Sequence, residues 1–186
     1  MTPIRDELTR PELLAFVQGL AQEPDAWRHL VRPRPDRRTY AEIKREPRVG
    51  IWVICWMDDH DTGFHDHDIS AGAVAVVEGR LREERLTIGG APQVLEYGAG
   101  EAFDFAASDI HRMSHASGGP AVSLHAYSPP LWRMGAYAVQ PSGVITRTSV
   151  SYAEELRPPE PPPAADEPDP RDSQPARARD RATSQG

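Results

Sequence analysis

Two hydrophobic periods succeed one another along this chain. Over residues 9–30 the apolar positions fall at helical spacing, with Leu13, Phe16, Val17 and Leu20 forming one stripe. Thr9-Arg10-Pro11-Glu12 ahead of it has the spacing of a capping box, and its proline falls in the first turn, where a missing N–H costs nothing. A second short helical piece around 24–30 offers Trp27 and Leu30 for packing. Both pieces read as cover for something larger.

From Thr39 onward the period drops to two. Residues 39–43 alternate, and Gly50-Ile51-Trp52-Val53-Ile54-Cys55-Trp56 is continuously apolar and β-prone, which predicts a central strand covered on both faces. Further strands are predicted around 64–67, 72–77, 81–86, 94–97, 102–105, 111–114 and 122–127. A last hairpin is expected from 135–139 to 144–148, turning at Pro141-Ser142-Gly143. Glycine pairs at Gly89-Gly90, Gly98-Ala99-Gly100 and Gly118-Gly119 punctuate them. Many short strands with Gly-rich turns predict an antiparallel sandwich or barrel. After Leu156 the pattern stops: Pro158-Pro159-Glu160-Pro161-Pro162-Pro163 opens a stretch without apolar periodicity, too poor in buriable surface to offset its ordering entropy. The expected organisation is a helical segment at 1–35 packed on a β domain at 36–156, followed by a disordered Pro-rich tail at 157–186.

Composition adds exclusions. A chain of 186 residues, 39% hydrophobic and 26% charged, has the make-up of one soluble domain with a sizeable core. Its formal net charge of −7 argues against a general nucleic-acid binder, which needs clustered Lys and Arg. The single cysteine, Cys55, rules out an internal disulfide or a thiolate zinc cluster, and its place in an apolar strand predicts a buried, inert thiol. No basic segment precedes an apolar run, and no apolar stretch approaches bilayer length. A cytoplasmic protein without membrane or nucleic-acid partners is the expectation.

The candidate chemistry sits in Gly63-Phe64-His65-Asp66-His67. In an extended strand His65 and His67 project to one face and Asp66 to the other, so two imidazoles form half of a metal site. The other half is expected from His111 or from Ser123-Leu124-His125-Ala126-Tyr127, where three polar groups alternate with apolar neighbours and share a face. Burying such a face is costly without hydrogen-bond partners or a metal. Three imidazoles accommodate Fe, Ni, Cu or Zn. His115 reads as a turn residue or a supporting partner behind a ligand rather than a ligand itself, His29 as a helix-surface residue, and Asp58, Asp59 and His60 as a solvated turn.

These residues carry a family resemblance. Gly63 to Gly79 resembles the first cupin motif and Gly98 to His111 the second. Ser123-Leu124-His125-Ala126-Tyr127-Ser128-Pro129-Pro130 is similar to the SLHxYSPP signature of the cysteine dioxygenase family of thiol dioxygenases. The resemblance implies a cupin jelly-roll barrel, with His65, His67 and His111 as ligands of one Fe(II). It implies that His125 and Tyr127 stand beside the open coordination positions with Ser123 as their hydrogen-bonding partner. The implied substrates are a small thiol, L-cysteine by default, and O2. The implied product is a sulfinic acid, made with no organic cofactor by a monomer or weak homo-oligomer. With no glutamate between His67 and Gly72 to serve as a fourth ligand, three neutral imidazoles would leave the iron its full charge.

Two positions depart from the family pattern. Gly72 stands where animal members carry the cysteine that cross-links to the active-site tyrosine, so Tyr127 is expected to be an unmodified phenol. Tyr40-Ala41-Glu42 places an anion where a carboxylate-binding arginine is expected two residues after a tyrosine. Either Arg38, Lys44 or Arg112 substitutes, or the thiol is cationic, such as cysteamine or a thiohistidine derivative. Two other readings stay open: a different metal-dependent cupin enzyme, and a non-catalytic module that kept the cupin shell.

Overall fold

The computed structural model describes residues 7–116, 118–139 and 144–151. Helix α1 (Arg10–Ala21) starts at the capping box, where the Thr9 backbone N–H and hydroxyl both donate to Glu12 Oε2, at 2.7 and 2.6 Å. The next piece is not α-helix but two single 3-10 turns, Pro24–Ala26 and Arg28–Leu30. Their amides reach carbonyls three residues back, as segments too short to close a longer turn do.

Eleven strands follow among the described residues: β1 (Thr39–Arg45), β2 (Gly50–Trp56), β3 (Phe64–Asp66), β4 (Ala71–Glu78), β5 (Arg80–Arg85), β6 (Gln93–Gly98), β7 (Ala102–Phe105), β8 (His111–His115), β9 (Ala121–Ser128), β10 (Arg133–Val139) and β11 (Ile145–Ser151). They form a five-stranded sheet of order β1-β2-β9-β4-β7 and a six-stranded sheet of order β11-β10-β3-β8-β5-β6. Every pairing is antiparallel. From β2 to β5, and again from β6 to β10, each successive strand changes sheet. That alternation is the double-stranded jelly roll of the cupin fold, as the sequence implied.

The five-stranded sheet is covered on both sides. Ile51, Val53, Ala73, Leu124 and Ala126 face outward against Leu13 and Val17 of α1 and against Trp27. Trp52, Ile54, Trp56, Val74 and Phe105 face inward, toward Leu81, Met113 and Met134 of the barrel. All seven residues of β2 are buried, which is why its sequence lacks alternation. Leu13 and Val17 lose all contact with water, each contributing about 1.5–3 kcal/mol to holding the helix on the barrel. Among the described residues no helix is long and apolar enough to cross a membrane. The expected turn at Pro141-Ser142-Gly143 and the expected tail at 157–186 lie outside the described residues.

Candidate metal centre

β3 and β8 are neighbours in the six-stranded sheet, and their register sets His65 directly opposite His111. His67 follows one residue after the end of β3 and closes the third corner. The ring centroids lie 4.8 Å apart for His65–His67 and His65–His111, and 5.1 Å apart for His67–His111. One ligand-capable nitrogen from each falls within 4.8 Å of the others, and all three side chains are buried. Among the described residues this is the one cluster of three such groups.

Each ring is oriented by a specific neighbour. His65 Nδ1–H donates to the Gly63 carbonyl at 3.0 Å, and His111 Nδ1–H donates to Glu83 Oε1 at 2.7 Å. These bonds leave the far nitrogens of both rings to face the cluster. His111 Nε2 and His67 Nδ1 are buried without a hydrogen-bond partner. An orphaned buried polar atom costs about 1–3 kcal/mol, and a metal ion accepting the lone pair of His111 Nε2 removes that cost. Burial, and then the neighbouring imidazoles, hold His65 and His67 well below the usual imidazole range, so both stay in the neutral form that ligates metals. The donor set therefore fits a divalent transition metal.

Asp66 points away from the cluster, as strand alternation requires. It accepts from Arg147 Nε at 2.7 Å and Nη2 at 2.9 Å, from the Tyr137 hydroxyl at 2.5 Å and from the Asp68 amide at 2.9 Å. Burial alone would raise its carboxyl, but the bonds from Arg147 and Tyr137 prevail and hold it down at about 2. The peptide between the two histidines is thereby tied to β10 and β11.

The five-stranded sheet supplies the opposite wall. On β9, Ser123, His125 and Tyr127 share one face, as the alternation predicted. The Trp56 indole N–H donates to Ser123 Oγ at 2.9 Å, Ser123 Oγ lies 2.8 Å from His125 Nε2, and His125 Nδ1 lies 3.2 Å from the Tyr127 hydroxyl. Burial, with His111 and Arg38 adding to it, pushes His125 down to about 3. Between the two walls lies a cavity of about 540 Å³ including its mouth. His65, His67, His111, His125 and Tyr127 line it; Ser123 sits behind His125. Gly72 lies directly across from Tyr127 on the adjacent strand, and a Cβ there would run into the ring of Phe105, which stacks on His67 at 4.5 Å. Phe105 thus fills the space a side chain at position 72 would take.

The three cations that the sequence offered separate in the fold. Arg38 lines the cavity, with its guanidinium 5.3 Å from the Trp56 ring centroid and Nη1 donating to the Asp61 carbonyl at 2.7 Å. Glu42 does not line it and accepts from Arg45 Nε at 2.6 Å. Lys44 pairs with Glu46, and Arg112 with Asp61. His60 is buried rather than solvated, because its Nδ1 caps the turn by accepting from the Met57 amide at 2.9 Å. His115 ends β8 and donates through Nε2 to the Gly119 carbonyl at 2.6 Å. Glu83 was not singled out by sequence reasoning. The available signal was its alternation with inward-facing Leu81, which sets a lone carboxylate on the core face of β5.

Residues 4–140 match the sequence model of the family described as cysteine dioxygenase type I. The chain belongs to that family. Human cysteine dioxygenase type 1 is 25% identical over 136 residues, which is 67% of this chain and 68% of the human protein. The cysteine dioxygenase type 1 of Danio rerio is 26% identical over 137 residues, with the same shares. Among solved structures, a cupin superfamily protein of Desulfitobacterium hafniense aligns at a TM-score of 0.48 and 13% identity, over 55% of this chain and 87% of its own. As a cysteine dioxygenase type I family member the chain is a thiol dioxygenase, and its three-histidine cluster offers a donor set suited to a metal.

Proposed function

We propose that the protein is a non-haem Fe(II) enzyme that adds both atoms of O2 to a small thiol carrying an anionic group, L-cysteine by default, to give the sulfinic acid. The observation that carries this reading is the facing of two walls: three buried imidazoles on one sheet and the Ser123–His125–Tyr127 row on the other, with a cavity between. The reaction balances without a further reductant, RSH + O2 giving RSO2H, because sulfur supplies all four electrons.

In this reading His65, His67 and His111 hold the metal. When bound, ferrous iron supplies the electron transfer that lets O2 react with a thiolate. The protein's other residues position and protonate. Trp56 can only donate, so it fixes Ser123 Oγ as an acceptor. The Ser123 O–H then donates to His125 Nε2, and His125 Nδ1–H to the Tyr127 oxygen. That sense of the chain turns the Tyr127 O–H toward the cavity as a donor to substrate. Arg38, the one arginine or lysine among the described residues lining the cavity, is placed to read the anionic group. Glu42, held by Arg45 away from the lining, gives a cationic thiol no comparable partner.

The test is O2 consumption by iron-loaded protein with L-cysteine, 3-mercaptopropionate, cysteamine and a thiohistidine derivative, the product identified by mass. Uptake with the anionic thiols, lowered about 10- to 100-fold in kcat/KM by Arg38→Met, is the expected outcome. Uptake with cysteamine in preference to the carboxylates would assign the site to a cationic thiol instead. No uptake with any of the four would contradict thiol oxidation altogether.

A further inference from the structure

The carboxylate of Glu83 is 1% exposed, deep between the sheets, where a charge persists only if it is paired. Its partners come from three strands. On the β5–β8 ladder Glu83 pairs with Met113 and Arg85 with His111, which sets Glu83 diagonal to His111 on the same face. Oε1 accepts from His111 Nδ1–H at 2.7 Å and from Arg85 Nη2 at 2.8 Å, and Oε2 lies 3.5 Å from the Tyr97 hydroxyl. Arg85 is itself anchored, 3.4 Å from Asp109 Oδ2 and donating to the Asp104 carbonyl at 3.2 Å. Of the three clustered imidazoles, His111 is the one whose outward nitrogen meets a charged acceptor; His65 meets a neutral carbonyl.

We propose that Glu83 is a positioning residue for the metal: it fixes His111 as the tautomer with the proton on Nδ1, aims Nε2 into the cluster and makes that nitrogen a stronger donor. A carboxylate sharing the Nδ1 proton moves electron density onto the imidazole, and such partners commonly govern metal affinity. The site then differs from the three neutral imidazoles expected from sequence, because a negative charge stands one hydrogen bond behind one of them. Arg85 limits the effect by competing for the same oxygen. The inference rests on the reading of His65, His67 and His111 as the metal ligands.

The test uses the full chain. Fe(II) affinity is measured anaerobically by chelator competition for the wild type, Glu83→Gln, Arg85→Gln and His65→Ala. The Nδ1–H proton of His111 is followed by NMR in the Zn(II)-loaded protein. Glu83→Gln keeps the size and an acceptor but loses the charge, and is expected to bind Fe(II) about 10- to 100-fold more weakly, with the His111 proton moved upfield. Arg85→Gln is expected to shift both readouts the opposite way, which a merely loosened fold would not do. If Glu83→Gln matches the wild type in affinity and proton shift while His65→Ala loses the metal, this proposal falls and the triad reading stands. If the wild type takes up no Fe(II), or His65→Ala takes up as much, the triad reading falls and this proposal with it.

Discussion

The imidazole of His125 shows what burial does to a single residue here. Held at about 3 in the fold against about 6.5 in an open chain, it stays neutral where the unfolded chain takes up a proton. The unfolded state binds more protons below pH 6.5, so this residue's contribution to stability is complete above that pH and is lost progressively as pH falls toward 3. Thermal unfolding of the metal-free protein between pH 7 and pH 4 should therefore show a declining Tm. His125→Asn should make the decline shallower by up to one proton's worth of slope. Tyr127 tests the other end of the same row. Removing its hydroxyl leaves ring packing against His67 and Phe105 intact but takes away the group we propose donates to substrate. Tyr127→Phe is expected to lower kcat about 100-fold or more, the usual range for a lost proton donor, while Fe(II) content by metal analysis stays at the wild-type level. These residues were legible in the sequence, because histidines two apart and a Ser-x-His-x-Tyr alternation announce their shared face. Glu83 was not, since nothing links it to His111 until the β5–β8 register is known.

At the scale of elements, the short strand β3 carries His65 and leads directly into His67, and its three residues cannot hold the two histidines in place alone. The Asp66 carboxylate, joined to Arg147 and Tyr137, locks β3 onto β10 and β11. Asp66→Asn keeps the size but loses the charge-assisted pair with a partly exposed arginine. Chemical denaturation should report a loss of about 1–3 kcal/mol, and Fe(II) affinity should fall as well, because the peptide between His65 and His67 loses its anchor. An unchanged metal affinity would show that the tie is structural only. Some strand limits were readable: β2 and β7 run over 50–56 and 102–105, where the sequence pattern set them. Strand order was not readable. Trp56 and Ser123 meet across β2 and β9 although 67 residues separate them, and local pattern says nothing about such pairings. The segment after α1 read as a short helical piece because its apolar spacing fits one, yet it closes only as isolated 3-10 turns.

For the molecule as a whole, the barrel brings the three-imidazole cluster of one sheet and the Ser123–His125–Tyr127 row of the other to opposite sides of one cavity, and the two meet only because the sheets face each other. A metal that binds the folded chain and not the unfolded one must stabilise it. At 100 times its dissociation constant, Fe(II) or Zn(II) should add about 2.7 kcal/mol and raise Tm by roughly 5–10 °C, and His67→Ala should abolish the increment in calorimetry. The resemblance in the motifs around His65 and Tyr127 gave the family before any coordinates. The net charge of −7 argued against one class of partner and pointed to none. Which cation lines the cavity depended on the side chain of Arg38 turning into it while Glu42 turns to Arg45, a choice invisible in their spacing. The most direct measurement is O2 consumption against sulfinate formation for protein loaded with one Fe(II) per chain, with L-cysteine as substrate and His111→Ala as control. One O2 consumed per sulfinate formed, and neither in the variant, is the expected result; no thiol-dependent uptake, or equal uptake in His111→Ala, would contradict it.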